Sequence, residues 1–397
     1  MEITGGSGIM KHLFLYIILA SFLFSSCGKK KDAKIQNTQT TETTTETRVG
    51  EQTISDTKYL TDKLDALYKN IRISGNVGIY VYDLTDKHEV YGIHEDALMP
   101  TASCMKLLTG ICAYHYFGTN YHFAPPMICD STLYPGMNPY VTELDLRKLK
   151  GEYRDVSPSL RENVAAEPHW YPWDLSLSRF GLLYRLGNRL KEPIIYKFRD
   201  SSAPARFFTA PESSLDAVIS RMWKNSSNIM STSVLYALGR RLSPASTKPE
   251  IVGVATLRNF LHSEIGVKDS VQIHDGCGLC PQDRLSPKIL TRILTYGYNA
   301  PKIRPKMMRL LSISGTDGTL RILLNRRDVA GKIIGKTGTL SHPYGISTLA
   351  GFAKRDDGRI LVFAVMLSQM SVLDAHVIER NLCKTMLSVD KRKAVTQ

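Results

Sequence analysis

Three short residue combinations stand in an order that suits covalent acyl transfer. Ser103-Cys104-Met105-Lys106 places a hydroxyl three residues ahead of an amine. On a helix those two positions share a face. A neutral Lys106 can then take the Ser103 proton and leave a nucleophilic oxygen. Ser226-Ser227-Asn228 supplies a second hydroxyl and a carboxamide. Ser226 can relay a proton toward a leaving amine, and Asn228 can hold Lys106 or a substrate amide. Lys336-Thr337-Gly338, followed by Thr339, supplies a second amine. Burial and a neighbouring cation both lower a lysine pKa, so Lys336 would help keep Lys106 neutral. Lys106 is the leading candidate for the base. The Lys336 ammonium with the Thr337 and Thr339 hydroxyls suits a terminal carboxylate. Gly338 leaves its strand face bare for an approaching backbone. The N–H groups of Ser103 and Thr339 would form an oxyanion hole, each donor worth ~3–4 kcal/mol.

The chemistry needs a helix start, an inter-helix loop and a strand to converge. The same S-x-x-K spacing recurs at Ser26–Lys29, Ser55–Lys58 and Ser388–Lys391, but in an apolar leader, a polar stretch and a polar tail. Around Ser103 the setting is different. Met105, Leu107, Leu108, Ile111, Cys112 and Tyr114 cover most of a helix over 103–117, which predicts a buried central helix. Ser226 and Asn228 fall in a polar break between predicted helices 215–223 and 230–240. Lys336 falls in a predicted strand over 332–338, followed by strands 347–354 and 359–367 around an Asp356-Asp357-Gly358 turn. Near the start, apolar spacing predicts a helix over 59–71, then a hairpin of strands 77–82 and 89–93. A helix over 372–387 closes the chain. Strands at both ends with helices between them predict an α+β fold, one antiparallel sheet flanked by helices.

Four segments carry a resemblance to a known family. Met99 to Thr109, Asp275-Gly276-Cys277-Gly278-Leu279, Gly315 to Leu320 and Lys336 to Leu340 resemble segments of the class C, penicillin-binding protein 4 type D-alanyl-D-alanine carboxypeptidases and endopeptidases. The similarity spans about 75–118 and 213–370. It implies the serine β-lactamase and penicillin-binding transpeptidase-like fold, with an inserted region between the first two motifs. It also implies a serine DD-peptidase that forms an acyl-enzyme on Ser103, acts on peptidoglycan stem peptides, is acylated by β-lactam antibiotics and uses no metal or organic cofactor. Ser227 stands where that family often has Asp, and Cys277 and Cys280 stand where it has Ser. Two other readings compete. A serine β-lactamase shares the three motifs, although no dedicated deacylation carboxylate is identifiable here. A catalytically silent wall-binding lipoprotein is the other.

The chain has 397 residues, 43% hydrophobic and 22% charged, with formal net charge +14. That composition excludes disorder along the whole length. No zinc finger, RNP-like run or dense basic block points to nucleic acid, so anionic membrane or wall polymer is a better match for the charge, beside a basic surface that serves solubility alone. Met10-Lys11-His12, an apolar run from Leu13 to Phe24 and small residues before Cys27 read as a signal peptide over 1–26. Phe24-Ser25-Ser26-Cys27 resembles a bacterial lipobox, which implies lipidation at Cys27 and a periplasm-facing lipoprotein of the cell envelope. A Thr- and Glu-rich stretch reads as a flexible linker over 27–58. The catalytic domain is then discontinuous, 59–118 and 211–397, around an insertion over 119–210. That insertion is rich in Pro and aromatics, including His169 to Trp173, read as ordinary packing. Cys277 and Cys280 form a lone C-x-x-C. With no second pair they read as structural thiols or a local redox pair, not a metal site.

Overall fold

The computed structural model describes residues 42–72, 74–123, 127–129, 132–134, 195–196, 207–209, 213–244, 246, 248–268 and 270–390. The signal peptide, Cys27 and most of the 119–210 insertion, including the aromatic run at 169–173, lie outside the described residues.

Helix α1 (Glu42–Lys69) leads to the hairpin of β1 (Asn76–Asp83) and β2 (His88–Ile93). Strand β3 (Met99–Pro100) and a 3₁₀ turn (Ala102–Cys104) run into α2 (Met105–Phe117). Six short strands follow: β4 (His122–Phe123), β5 (Met127–Cys129), β6 (Thr132–Tyr134), β7 (Ile195–Tyr196), β8 (Phe207–Thr209) and β9 (Ser213–Ser214). Helices α3 (Leu215–Lys224), α4 (Asn228–Leu242) and α5 (Pro249–Ser263) precede β10 (Arg284–Leu285), α6 (Pro287–Asn299) and α7 (Arg304–Leu310). Then come β11 (Ser312–Ile313), α8 (Leu320–Leu323), β12 (Ile333–Leu340), β13 (Ile346–Lys354), β14 (Ile360–Ser368) and α9 (Val372–Met386).

Among the described residues, β11-β12-β13-β14-β1-β2 form one six-stranded antiparallel sheet. The predicted strands and hairpins fall inside it. Side chains alternate across the sheet, as the pleat requires. On β14, Leu361, Phe363, Val365 and Leu367 join Leu60 and Leu64 of α1 and Leu382 and Met386 of α9 in one core. Val362, Ala364 and Met366 join Leu107, Leu108 and Ile111 of α2 in a second core on the other face. With both faces covered, β14 reads as a continuous apolar run. Every residue of α2 from Met105 to Tyr114 is buried. Gly110 is what lets α2 approach α3, since a Cβ there would lie 2.5 Å from the Trp223 ring.

Two expectations need correction. Residues 42–58, assigned to a flexible linker, lie in α1. The buried Leu60 and Leu64 anchor that helix, Asp56 meets Arg359 at 3.0 Å and Thr57 Oγ1 meets His88 Nε2 at 3.0 Å. A helix already nucleated extends at little cost through residues that would not fold alone. The predicted helix at 103 begins instead as a 3₁₀ turn, with α2 proper starting at Met105. The insertion, whose fold the composition left open, carries β5 to β8 in a four-stranded sheet, order β7-β6-β5-β8.

Candidate active site

The turn bearing Ser103 is strained and clamped. Ala102 has φ 42°, a left-handed conformation that a residue with a Cβ adopts rarely. Two glycines hold it from either side. A Cβ on Gly338 of β12 would lie 2.8 Å from Ser103 N and 2.9 Å from Thr101 O. A Cβ on Gly278, itself at φ +73°, would lie 1.7 Å from Ala102 O. Only bare backbone fits at both positions. Thr101 N donates to Asp283 O at 3.1 Å, and β3 pairs with β10 through Pro100 and Arg284. The 272–285 loop therefore braces the nucleophile turn.

Lys106 is wholly buried one turn along from Ser103. Its Nζ lies 2.9 Å from Ser103 Oγ, 2.8 Å from Asn228 Oδ1 and 2.6 Å from the Cys277 carbonyl oxygen. Burial pushes its pKa below the ordinary lysine value, because desolvation penalises the ammonium. Its own carbonyl accepts from Trp223 Nε1 at 2.8 Å. Asn228 opens α4, where the Ser227 hydroxyl caps the helix by accepting from Met230 N at 3.3 Å.

Lys336 is also wholly buried. Its Nζ donates to Ser226 Oγ at 2.9 Å and to the Thr337 carbonyl at 2.6 Å. Burial, and then the charge of Lys106, draws its pKa down to about 7. Ser226 is held at φ 57°, a second non-glycine residue in the left-handed region. Thr337 Oγ1 donates to Thr319 Oγ1 at 2.8 Å. The structure thus brings Ser103, Lys106 and Asn228 onto one amine, and Ser226, Lys336 and Thr337 onto another. Gly338 stands between β12 and the nucleophile turn. Thr339, next along β12, lies opposite Ser347 of β13 and has an exposed side chain.

Some participants have no role in the sequence reading. Cys277 contributes its carbonyl to Lys106. Asp275 shapes that loop: its buried carboxylate accepts from the N–H groups of Cys277 at 2.7 Å, Cys280 at 2.8 Å and Leu279 at 3.1 Å, and from Gly278. Thr319 backs Thr337. The Asp275 to Leu279 and Gly315 to Leu320 segments were visible as family-like stretches, without an assigned role for each residue.

A sheet sandwiched between helices, with a serine beside a buried lysine on the central helix, defines the penicillin-binding protein and serine β-lactamase fold. The chain belongs to the D-Ala-D-Ala carboxypeptidase 3 (S13) family, whose model matches residues 60–137 and 188–387. It is a class C low-molecular-mass penicillin-binding protein and a serine DD-peptidase. The stretch between the matched parts is narrower than the 119–210 insertion read from composition. No curated protein matches the chain. Among solved structures, it is similar to penicillin-binding protein 4 from Haemophilus influenzae in complex with a β-lactam, at TM-score 0.61 and 15% identity over 82% of this chain and 99% of that one. A predatory endopeptidase from Bdellovibrio bacteriovorus, solved with its immunity protein, gives 0.54 and 15% over 79% and 93%. The TLA-3 extended-spectrum β-lactamase gives 0.50 and 13% over 82% and 97%. At these identities the likeness is one of fold.

Proposed function

We propose that the protein cleaves peptidoglycan stem peptides ending in D-alanyl-D-alanine, through an acyl-enzyme on Ser103, and that β-lactams acylate the same oxygen. One observation carries this reading: the Nζ of a fully buried Lys106 lies 2.9 Å from Ser103 Oγ. A neutral amine has two N–H groups and one lone pair. The Cys277 carbonyl and Asn228 Oδ1 are acceptors only, so they engage the two N–H groups. The lone pair is then left facing the Ser103 hydroxyl. Lys106 takes that proton as Ser103 attacks the carbonyl between the two D-alanines. The oxyanion is met by the N–H groups of Ser103 and Thr339. Ser226, in contact with Lys336, relays a proton to the departing D-alanine amine. Lys336, Thr337 and Thr339 hold the terminal carboxylate. Water then releases the acyl group and restores the Ser103 hydroxyl. The same steps on a D-alanyl bond to a diamino acid would open a cross-link.

Intact-mass analysis after penicillin treatment, followed by peptide mapping, tests the proposal. One adduct on Ser103 is expected, long-lived enough to isolate. An adduct on another residue rejects the nucleophile. Fast turnover of a chromogenic β-lactam would reassign the protein as a β-lactamase.

The leader pattern supports a further part of the proposal, that Cys27 is acylated and tethers the enzyme to a membrane of the cell envelope. Palmitate labelling should disappear in Cys27→Ser.

A further inference from the structure

The loop that braces the nucleophile turn carries a ligand set the catalytic proposal does not use. His274, Cys280 and Asp283 each offer one ligand atom, and the three atoms lie within 4.8 Å of one another. Asp283 is fully buried, and its Oδ2 has no hydrogen-bond partner; its Oδ1 accepts from His274 N at 2.6 Å. The His274 ring nitrogen Nδ1 also makes no hydrogen bond and sits 3.4 Å from Asp283 Oδ1. A buried carboxylate oxygen without a donor costs free energy, and a cation would supply the missing partner. In another cluster of similar make-up Asp83 Oδ2 is likewise buried without a hydrogen bond, but there a side-chain cation stands beside it. Asp83 and Asp86, beside His88, both face Arg359 Nη1 at 3.7 Å, so they already have a cation.

We infer that His274, Cys280 and Asp283 form a binding site for a divalent cation of the zinc kind. One imidazole nitrogen, one thiolate and one carboxylate oxygen are a donor set that zinc accepts, leaving a fourth position for water. The His274 side chain is 35% exposed, which gives the ion and that water a route in. Burial, and then the charge of Asp275, push the Asp283 pKa well up, so binding forms a metal–sulfur bond at Cys280 and a metal–oxygen bond at Asp283 and releases the thiol and carboxyl protons to solvent; no electrons are exchanged. The ion would tie the two ends of the 274–283 segment together. That segment presents the Cys277 carbonyl to Lys106 and the Asp283 carbonyl to Thr101. Occupancy would therefore stiffen the seat of the base and the turn before Ser103.

Cobalt(II) reads the site directly, because a thiolate ligand gives it a sulfur-to-metal charge-transfer band. The full chain, reduced with a phosphine and stripped with a chelator, should bind one cobalt per molecule with that band, and zinc should displace it. Cys280→Ser should abolish the band. His274→Gln, at a partly exposed position where the fold tolerates change, should weaken cobalt binding by more than about tenfold with an unaltered circular dichroism spectrum. Cys277→Ser should keep both band and stoichiometry. The inference is overturned if cobalt does not bind, if the band survives in Cys280→Ser, or if affinity is unchanged in His274→Gln. Loss of the band in Cys277→Ser as well would assign the metal to the C-x-x-C pair and overturn it too.

Discussion

The two faces of the central sheet are built on different terms. Behind the sheet, α1 and α9 close a core that is mostly apolar. A carboxylate buried there, Glu379, accepts from Ser347 Oγ at 2.8 Å, and desolvation raises its pKa to about 8. On the front face, two fully buried lysines make five hydrogen bonds between them. Two non-glycine residues there, Ala102 and Ser226, sit in the left-handed region. Strain that persists beside a reactive group must be over-determined by its surroundings, and Gly338 and Gly278 show how. The back face holds the sheet; the front face holds atoms in positions they would not choose.

That contrast can be broken or sharpened experimentally. The largest effect is expected from Ser103→Ala, which should lower peptidase activity and penicillin labelling by at least about 10³-fold while leaving the melting temperature within a degree or two. Retained activity would place the nucleophile elsewhere. Gly338→Ala puts a methyl where the Ser103 N–H lies and should cut the acylation rate by about 10²-fold, measured by stopped-flow β-lactam labelling. Leu382→Ala, fully buried behind the sheet, should behave oppositely. Its expected cost is ~2–5 kcal/mol of stability in chemical denaturation, with an unchanged acylation rate for the folded fraction. A slowed acylation there would show that the faces are coupled.

Two smaller effects concern charge. Burial draws the Lys336 pKa down to about 7, so kcat/KM for a carboxylate-terminated peptide should fall by several-fold as pH rises above about 7. The corresponding C-terminal amide should lack that limb of the profile. The smallest effect belongs to Glu379. Its pKa is raised from 4.5 to about 8 on folding, so the folded state binds the extra proton between those values. Stability from this group is present below pH 4.5 and is lost as pH rises through about 8. Glu379→Gln should flatten that slope in urea melts without altering acylation.

What was legible in the sequence follows from which atoms do the work. Ser103, Lys106, Asn228, Ser226 and Lys336 act through side chains, so their identities and order mark them. The sheet was legible because its strands are apolar runs bounded by turn residues. The 272–285 loop acts through backbone: the Cys277 carbonyl, the Asp283 carbonyl and the bare Gly278. Gly278 apart, backbone groups leave no trace in residue type. The left-handed Ala102 is equally silent, since nothing about alanine announces that conformation. Helix α6 carries its own start signal, for Ser286-Pro287 is a cap followed by a first-turn proline and Ser286 Oγ accepts from Ile289 N at 3.2 Å. The 42–58 stretch shows the converse, because composition reports whether a segment folds alone, not whether an anchored neighbour extends through it.

The pairing of β1 with β14, from Asn76 against Ser368 to Asp83 against Leu361, sets the order of assembly. A chain emerging amino-terminus first presents its hairpin long before the strand that must lie beside it has been made. Until then one margin of β1 stays unsatisfied, open to any extended segment nearby. The Ser103 turn precedes by more than half the chain the strand whose Gly338 clamps it. The reactive oxygen therefore comes into position only late in synthesis, so a truncated product would carry the serine without the power to use it.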